Sequence, residues 1–101
     1  MRIRHFQEII RRTYYERDLS RGIYRTFIWS VEEFGELAKA INRKSKKEVE
    51  IELSDVIAWI FSVANLLDVD VENALSRYFN GCPKCNSMPC TCNKEVDFEG
   101  A

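Results

Sequence analysis

The chain has 101 residues, 46% of them hydrophobic and 31% charged, with a formal net charge of −1 at pH 7. That length holds one compact domain and little more. The apolar share is too high for a disordered chain, and the charge balance argues against a nucleic-acid binder driven by a global basic field. The longest apolar run, Val56 to Leu67, is broken by Ser62 and Asn65 and falls well short of the ~20 residues that cross a bilayer. The opening residues lack the apolar core of a secretory signal, so a soluble, cytoplasmic protein is expected. A domain this small hides only about 60–65% of the surface of its unfolded chain. Its twelve aromatic residues need more cover than that, which predicts self-association.

Residues 1–80 contain two glycines, Gly22 and Gly35, and no proline. Such sparse punctuation without sustained period-2 alternation predicts helices. A first helix is expected over Ile3–Arg17, with Ile3, Phe6, Ile9, Ile10 and Tyr14 as its apolar positions. Asp18-Leu-Ser20 reads as a break, with Ser20 a candidate N-cap for a second helix reaching about Arg43. Asn42 to Ser45 is the next turn. Ser45-Lys-Lys-Glu48 has the form of a capping box opening a third helix from Lys46 to about Leu67. Asp70 is a candidate N-cap for a fourth helix over Val71–Phe79, and Gly81 stands where a left-handed stop is expected. The fold class is therefore all-α, a small four-helix bundle of antiparallel neighbours over residues 1–80. Residues 81–101 form a Cys-rich appendage with a frayed acidic end.

Charge is unevenly spread. Residues 1–30 hold seven arginines against Glu8, Glu16 and Asp18, whereas residues 31–80 hold ten acids against six bases. That asymmetry suits a site holding cations and a polyanion together, and equally suits two helices whose surfaces attract each other. At about 100° per residue, Trp29, Glu33, Glu36, Leu37 and Ala40 share one stripe of the second helix. Glu48, Glu52, Asp55, Val56, Trp59 and Val63 share one stripe of the third. Acids three apart are usually a solvated face with bases at i+4, but Glu33, Glu36, Glu52 and Asp55 are followed at i+4 by Leu37, Ala40, Val56 and Trp59. If the two stripes face each other, four carboxylates converge, and their mutual repulsion is costly unless a divalent cation relieves it. His5 is the only histidine, which argues against a Glu-x-x-His di-iron centre.

Glu32-Glu33-Phe34-Gly35-Glu36-Leu37, followed by Glu52-Leu53-Ser54-Asp55, resembles the EExxE…ExxD pattern of the MazG-like nucleoside triphosphate pyrophosphohydrolases. The resemblance covers about residues 5–80. It implies an all-α bundle acting as a homodimer or a dimer of dimers. It also implies cleavage of an NTP or dNTP between the α- and β-phosphates, dependent on Mg²⁺ or Mn²⁺, to give NMP and pyrophosphate in nucleotide-pool house-cleaning. Carried over, Glu33, Glu36, Glu52 and Asp55 become the metal-binding, catalytic carboxylates. Glu32 has a supporting role, as a partner for an arginine. Arg77 and Asn80 resemble a basic-plus-Asn position near the substrate, although an arginine at a helix C-terminus also complements the dipole. Lys39 and Arg25 are further cationic candidates without a motif. Trp29 or Trp59 could stack on a base, but tryptophans on an inward stripe are more often core. Phosphoribosyl-ATP pyrophosphohydrolases share the bundle and the chemistry, so the substrate stays open.

Cys82, Cys85, Cys90 and Cys92 fall within eleven residues. Cys-Pro-x-Cys has the form of a zinc-knuckle half, and four thiolates make a closed structural Zn²⁺ site, although the CxxC-x4-CxC spacing is more compact than that of ordinary zinc ribbons; two disulfides, free thiols and an iron–sulfur centre are the alternatives. The rival to the enzyme is a non-catalytic helical interaction module, with the acidic stripe as a partner surface and a structural zinc knuckle as its working part. No membrane and no nucleic-acid polymer is expected among the partners.

Overall fold

A computed structural model describes residues 1–93; the acidic end expected after Asn93 lies outside the described residues. The described chain is all-helical: α1 (Ile3–Arg21), α2 (Ile23–Asn42), α3 (Lys46–Leu66) and the short α4 (Val71–Leu75), continued by a 3₁₀ turn over Ser76–Tyr78. It divides into two compact units, Met1–Val71 and the segment from Glu72 onward. No helix among the described residues is long and apolar enough to cross a membrane.

In the first unit α3 packs against both α1 and α2, most extensively against α2. The break expected at Asp18–Ser20 is displaced. Helix α1 runs on to Arg21, and α2 starts after the single residue Gly22, at φ 90° and ψ 158°. An L-residue there is strained, and this conformation, rather than a Ser20 cap, separates the helices. The Gly22 N–H donates to Asp18 O at 2.9 Å, and Gly22 O accepts from Thr26 N–H at 3.1 Å, so both helices end on satisfied backbone groups. Ser45 does cap α3, its hydroxyl accepting from Glu48 N–H at 3.2 Å. At the other end of α3, Asp68 turns left-handed at φ 56° and Val69 N–H reaches back to Ala64 O at 2.9 Å, a Schellman-type stop. The fourth helix is shorter than expected. Its first N–H, on Val71, donates to Gln7 Oε1 of α1 at 2.9 Å, so Gln7 supplies this contact from another helix.

The core is small. Ile10, Ala40, Val56 and Phe61 are its buried apolar residues, and Phe6 meets Phe61 edge-on with ring centroids 5.0 Å apart. Buried polar groups fill the rest: Asp18, Thr26, Ser30, Ser62 and Asn65. Outside the core, Tyr24, Phe27, Ile28, Val31, Phe34 and Ile41 of α2 are exposed. By helical geometry they form one stripe roughly opposite that of Trp29, Glu33 and Glu36.

Candidate metal centre

The stripes predicted to face each other do so. Trp29 of α2 and Trp59 of α3 meet edge-to-face with centroids 6.0 Å apart. One helical turn beyond Trp29 stands Glu33, and one turn before Trp59 stands Asp55, with Glu52 a turn earlier. One carboxylate oxygen from each of Glu33, Glu52 and Asp55 lies within 4.8 Å of the other two. Glu33 and Glu52 are half-buried. Loss of hydration, followed by the charges of Asp55, Glu52, Glu36 and Glu32, holds the Glu33 carboxyl above its ordinary range. Three oxygens on two rigid helices make a hard, anionic donor set of the kind that divalent cations with oxygen preference accept.

Glu36 does not belong to that trio. It is exposed and its Oε1 lies 3.5 Å from Lys39 Nζ, an i,i+3 partner that the i+4 comparison left out. Glu32 is also exposed, and among the described residues no arginine pairs with it. Arg25 is exposed. Arg77 and Asn80 fall in the second unit, where the Arg77 guanidinium lies 5.3 Å from the Tyr78 ring centroid.

The same unit gathers the cysteines. All four carry free thiols, and their sulfurs lie within 4.8 Å of one another, with Cys82–Cys92 at 3.7 Å and Cys85–Cys90 at 3.9 Å. The loop closes through Cys82 N–H to Ser87 O at 3.0 Å. Gly81 permits this at φ 105°, where a Cβ would sit 2.6 Å from Ser87 O. Backbone N–H groups point at sulfur, Thr91 N to Cys85 Sγ and Cys92 N to Cys90 Sγ, both at 3.4 Å. The Thr91 backbone N–H, then its side chain, draws the Cys85 thiol down to about 5.

A second feature of the first unit was not singled out from the sequence. Arg21 donates to Asp18 Oδ1 at 2.8 Å and to Thr26 Oγ1 at 3.3 Å. Its guanidinium lies 4.8 Å from the Trp29 ring and 4.9 Å from the Trp59 ring. The available signal was Asp18 and Arg21 three apart on one helix face, which a predicted break at Asp18 obscured.

The described residues are all-helical, and the carboxylate trio on two facing helices offers ligand atoms of the kind that helical bundles use to hold metal ions. The family model of the MazG nucleotide pyrophosphohydrolase domain matches residues 24–84, and the chain belongs to this family. Membership makes nucleotides its substrates and pyrophosphohydrolysis its general activity. The matched segment contains Glu33, Glu36, Glu52, Asp55, Arg77 and Asn80, whereas Asp18, Arg21 and three of the four cysteines lie outside it. Among curated proteins none matches the chain.

Proposed function

We propose that the protein is a Mg²⁺-dependent nucleoside triphosphate pyrophosphohydrolase, with Mn²⁺ an alternative ion, that cleaves NTPs or dNTPs to NMP and pyrophosphate in the cytoplasm. The observation that carries this reading is the convergence of Glu33, Glu52 and Asp55 oxygens within 4.8 Å in a chain of this family. These three residues hold the cation, and Glu36 joins them by exchanging Lys39 for the ion. A hard divalent cation bound there neutralises polyphosphate charge and makes a water more acidic for in-line attack. The carboxylates fix the cation between α2 and α3, and Trp29 and Trp59 keep those helices in register. Arg77 and Asn80 are the proposed polyphosphate contacts, and Glu32 supports the site by drawing cationic side chains. Self-association buries the exposed apolar stripe of α2, as a homodimer or homotetramer. The working domain is residues 1–80, with 81–101 as the appendage.

Zn²⁺ is the proposed ion of Cys82, Cys85, Cys90 and Cys92. A tetrahedral ion with Zn–S bonds of about 2.3 Å requires sulfurs about 3.8 Å apart; the Cys82–Cys92 and Cys85–Cys90 pairs stand at 3.7 and 3.9 Å. Metal analysis of protein purified without chelator is expected to return about one Zn²⁺ per chain. Four titratable thiols and no metal would overturn that assignment.

The reaction is tested by phosphorus NMR of products from a panel of NTPs and dNTPs with and without Mg²⁺. NMP and pyrophosphate should form, and formation should stop on adding EDTA and in Glu52→Gln, which removes a ligand charge at nearly constant shape. Intact triphosphates across the panel would favour the non-catalytic interaction module.

A further inference from the structure

Arg21, the last residue of α1, touches all three long helices through one side chain. Its guanidinium donates to Asp18 Oδ1 of α1 at 2.8 Å and to Thr26 Oγ1 of α2 at 3.3 Å. It also lies 4.8 Å from the Trp29 ring of α2 and 4.9 Å from the Trp59 ring of α3. With the two rings 6.0 Å apart, the guanidinium and the ring centroids form a nearly isosceles triangle, so the cation caps the tryptophan pair. This is a poor device for stability alone. Asp18 is buried and its Oδ2 has no hydrogen-bond partner, and a buried ion pair is often no more stabilising than apolar side chains of similar volume. What the pair does supply is direction, since a guanidinium is flat and carries its donors in a fixed fork.

We infer that Arg21 is a positioning residue of the cation site: braced by Asp18, it holds Trp29 and Trp59 together and so keeps Glu33 at binding distance from Glu52 and Asp55 before any cation arrives. The inference rests on the proposed reading of the trio as a cation site and deepens it. The lever is short. Glu33 follows Trp29 by one turn and Asp55 precedes Trp59 by one turn, each about 6 Å along its helix. The need is electrostatic. Three carboxylates within 4.8 Å of one another repel when no ion lies among them, and that force drives α2 and α3 apart beside the tryptophan pair. A guanidinium attracted to both rings opposes the separation. Arg21 spends its charge on Asp18 rather than on the trio, so it leaves the carboxylates free for a metal ion. The role also has a distinctive sign. Acting through charge alone, Arg21 would repel an incoming cation, and its removal would tighten binding. Acting through position, its removal loosens binding. Both Asp18 and Arg21 precede the segment the family model matches, so the clamp is contributed by this chain's α1.

The test measures Mn²⁺ binding to the full-length protein without nucleotide, from the free-ion signal in electron paramagnetic resonance; thiolates do not suit Mn²⁺, so the cysteine unit does not compete. Wild type is compared with Arg21→Lys, with the double variant Asp18→Asn/Arg21→Met and with Ile10→Val. Lysine keeps the charge but loses the fork and the flat face. The double variant leaves the net charge unchanged and no buried charge unpaired, and should one of these two fail to fold, the other decides. Ile10→Val trims a buried core residue and reports what lost stability alone does to binding. The Mn²⁺ Kd should rise about 10–100-fold in both Arg21 variants, the range seen when groups that orient metal ligands are removed, and stay unchanged in Ile10→Val. Unchanged or tighter binding in the Arg21 variants overturns the inference, as does an equal loss in Ile10→Val. A second readout needs no metal. Two indoles 6.0 Å apart couple and split their far-ultraviolet circular dichroism band, and that splitting should shrink in both Arg21 variants while the helical signal stays. If wild type binds no Mn²⁺, the cation reading fails separately and the splitting decides: a diminished splitting sustains the clamp, and an undiminished one refutes it.

Discussion

Replacing Glu33 by glutamine tests the carboxylate trio through stability, without any substrate. Two unit charges 4.8 Å apart, the upper separation in the trio, repel by about 0.9 kcal/mol even at the dielectric of water. Glu33 faces two such neighbours, and exposure and salt trim the sum to about 1 kcal/mol. In EDTA, Glu33→Gln should therefore be more stable than wild type, with Tm higher by roughly 5 °C for a domain this size. Millimolar Mg²⁺ should reverse the order, because wild type gains about 2.7 kcal/mol when the free ion is 100 times its Kd and the variant has lost a ligand. The pH dependence has a defined sign. The Glu33 carboxyl is raised in the folded protein above its unfolded value near 4.5, so its contribution is fully present below that value and is lost as pH rises through the folded pKa. The EDTA gap between the two proteins should thus be absent in acid and open as pH rises toward neutral. Calorimetric melts at several pH values, with EDTA or Mg²⁺, measure all of this. A variant that melts below wild type in EDTA at neutral pH would refute the repulsion argument.

Three further substitutions probe how the frame holds that site. Gly22→Ala forces a side chain into a backbone conformation at φ 90°, ψ 158° that is essentially reserved for glycine; a loss of about 1–3 kcal/mol should appear in urea unfolding. Ser45→Ala removes the hydroxyl that caps Glu48 N–H and should cost about 1 kcal/mol, read as a lower urea midpoint at constant slope. Phe61→Ala empties the edge-on contact with Phe6, and a core truncation of this kind should cost about 3–5 kcal/mol, seen as a marked fall in Tm.

The helices and the facing acid stripes were legible because both follow from local rules. Sparse Gly and Pro, the Ser45 cap and the 100° arithmetic each need only neighbouring residues. The misplaced end of α1 shows where such rules fail. Asp18 and Ser20 have the side chains of caps, but Asp18 is buried and spends its carboxylate on Arg21 three residues on, and the helix runs on to Gly22. Glu36 was grouped with the stripe by angle, correctly, but its Lys39 neighbour at i+3 competes for it, and angle alone does not rank partners. In α4 the expected start at Val71 holds, its opening N–H met by Gln7, 64 residues away in sequence, whereas its end differs because the chain tightens into a 3₁₀ turn at Ser76.

The two ligand clusters differ in the property that sorts metal ions, and this decides where chemistry belongs. Four cysteine sulfurs within 4.8 Å of one another would fill every position of a tetrahedral Zn²⁺ and leave none for a substrate. Three carboxylates fall short of the six ligands of a hard ion such as Mg²⁺, so an ion held by Glu33, Glu52 and Asp55 would keep positions open to water and to substrate oxygens. On that reading the more conspicuous motif in the sequence is the inert one, and turnover depends on the diffuse acidic pattern. The ions should separate experimentally by softness: thiolates favour Zn²⁺ and do not suit Mg²⁺. EDTA followed by Mg²⁺ alone should restore hydrolysis while the cysteine unit stays metal-free. Hydrolysis that returned only with Zn²⁺ would instead make the cysteine cluster a condition of activity, and the division of labour between the two clusters would be wrong.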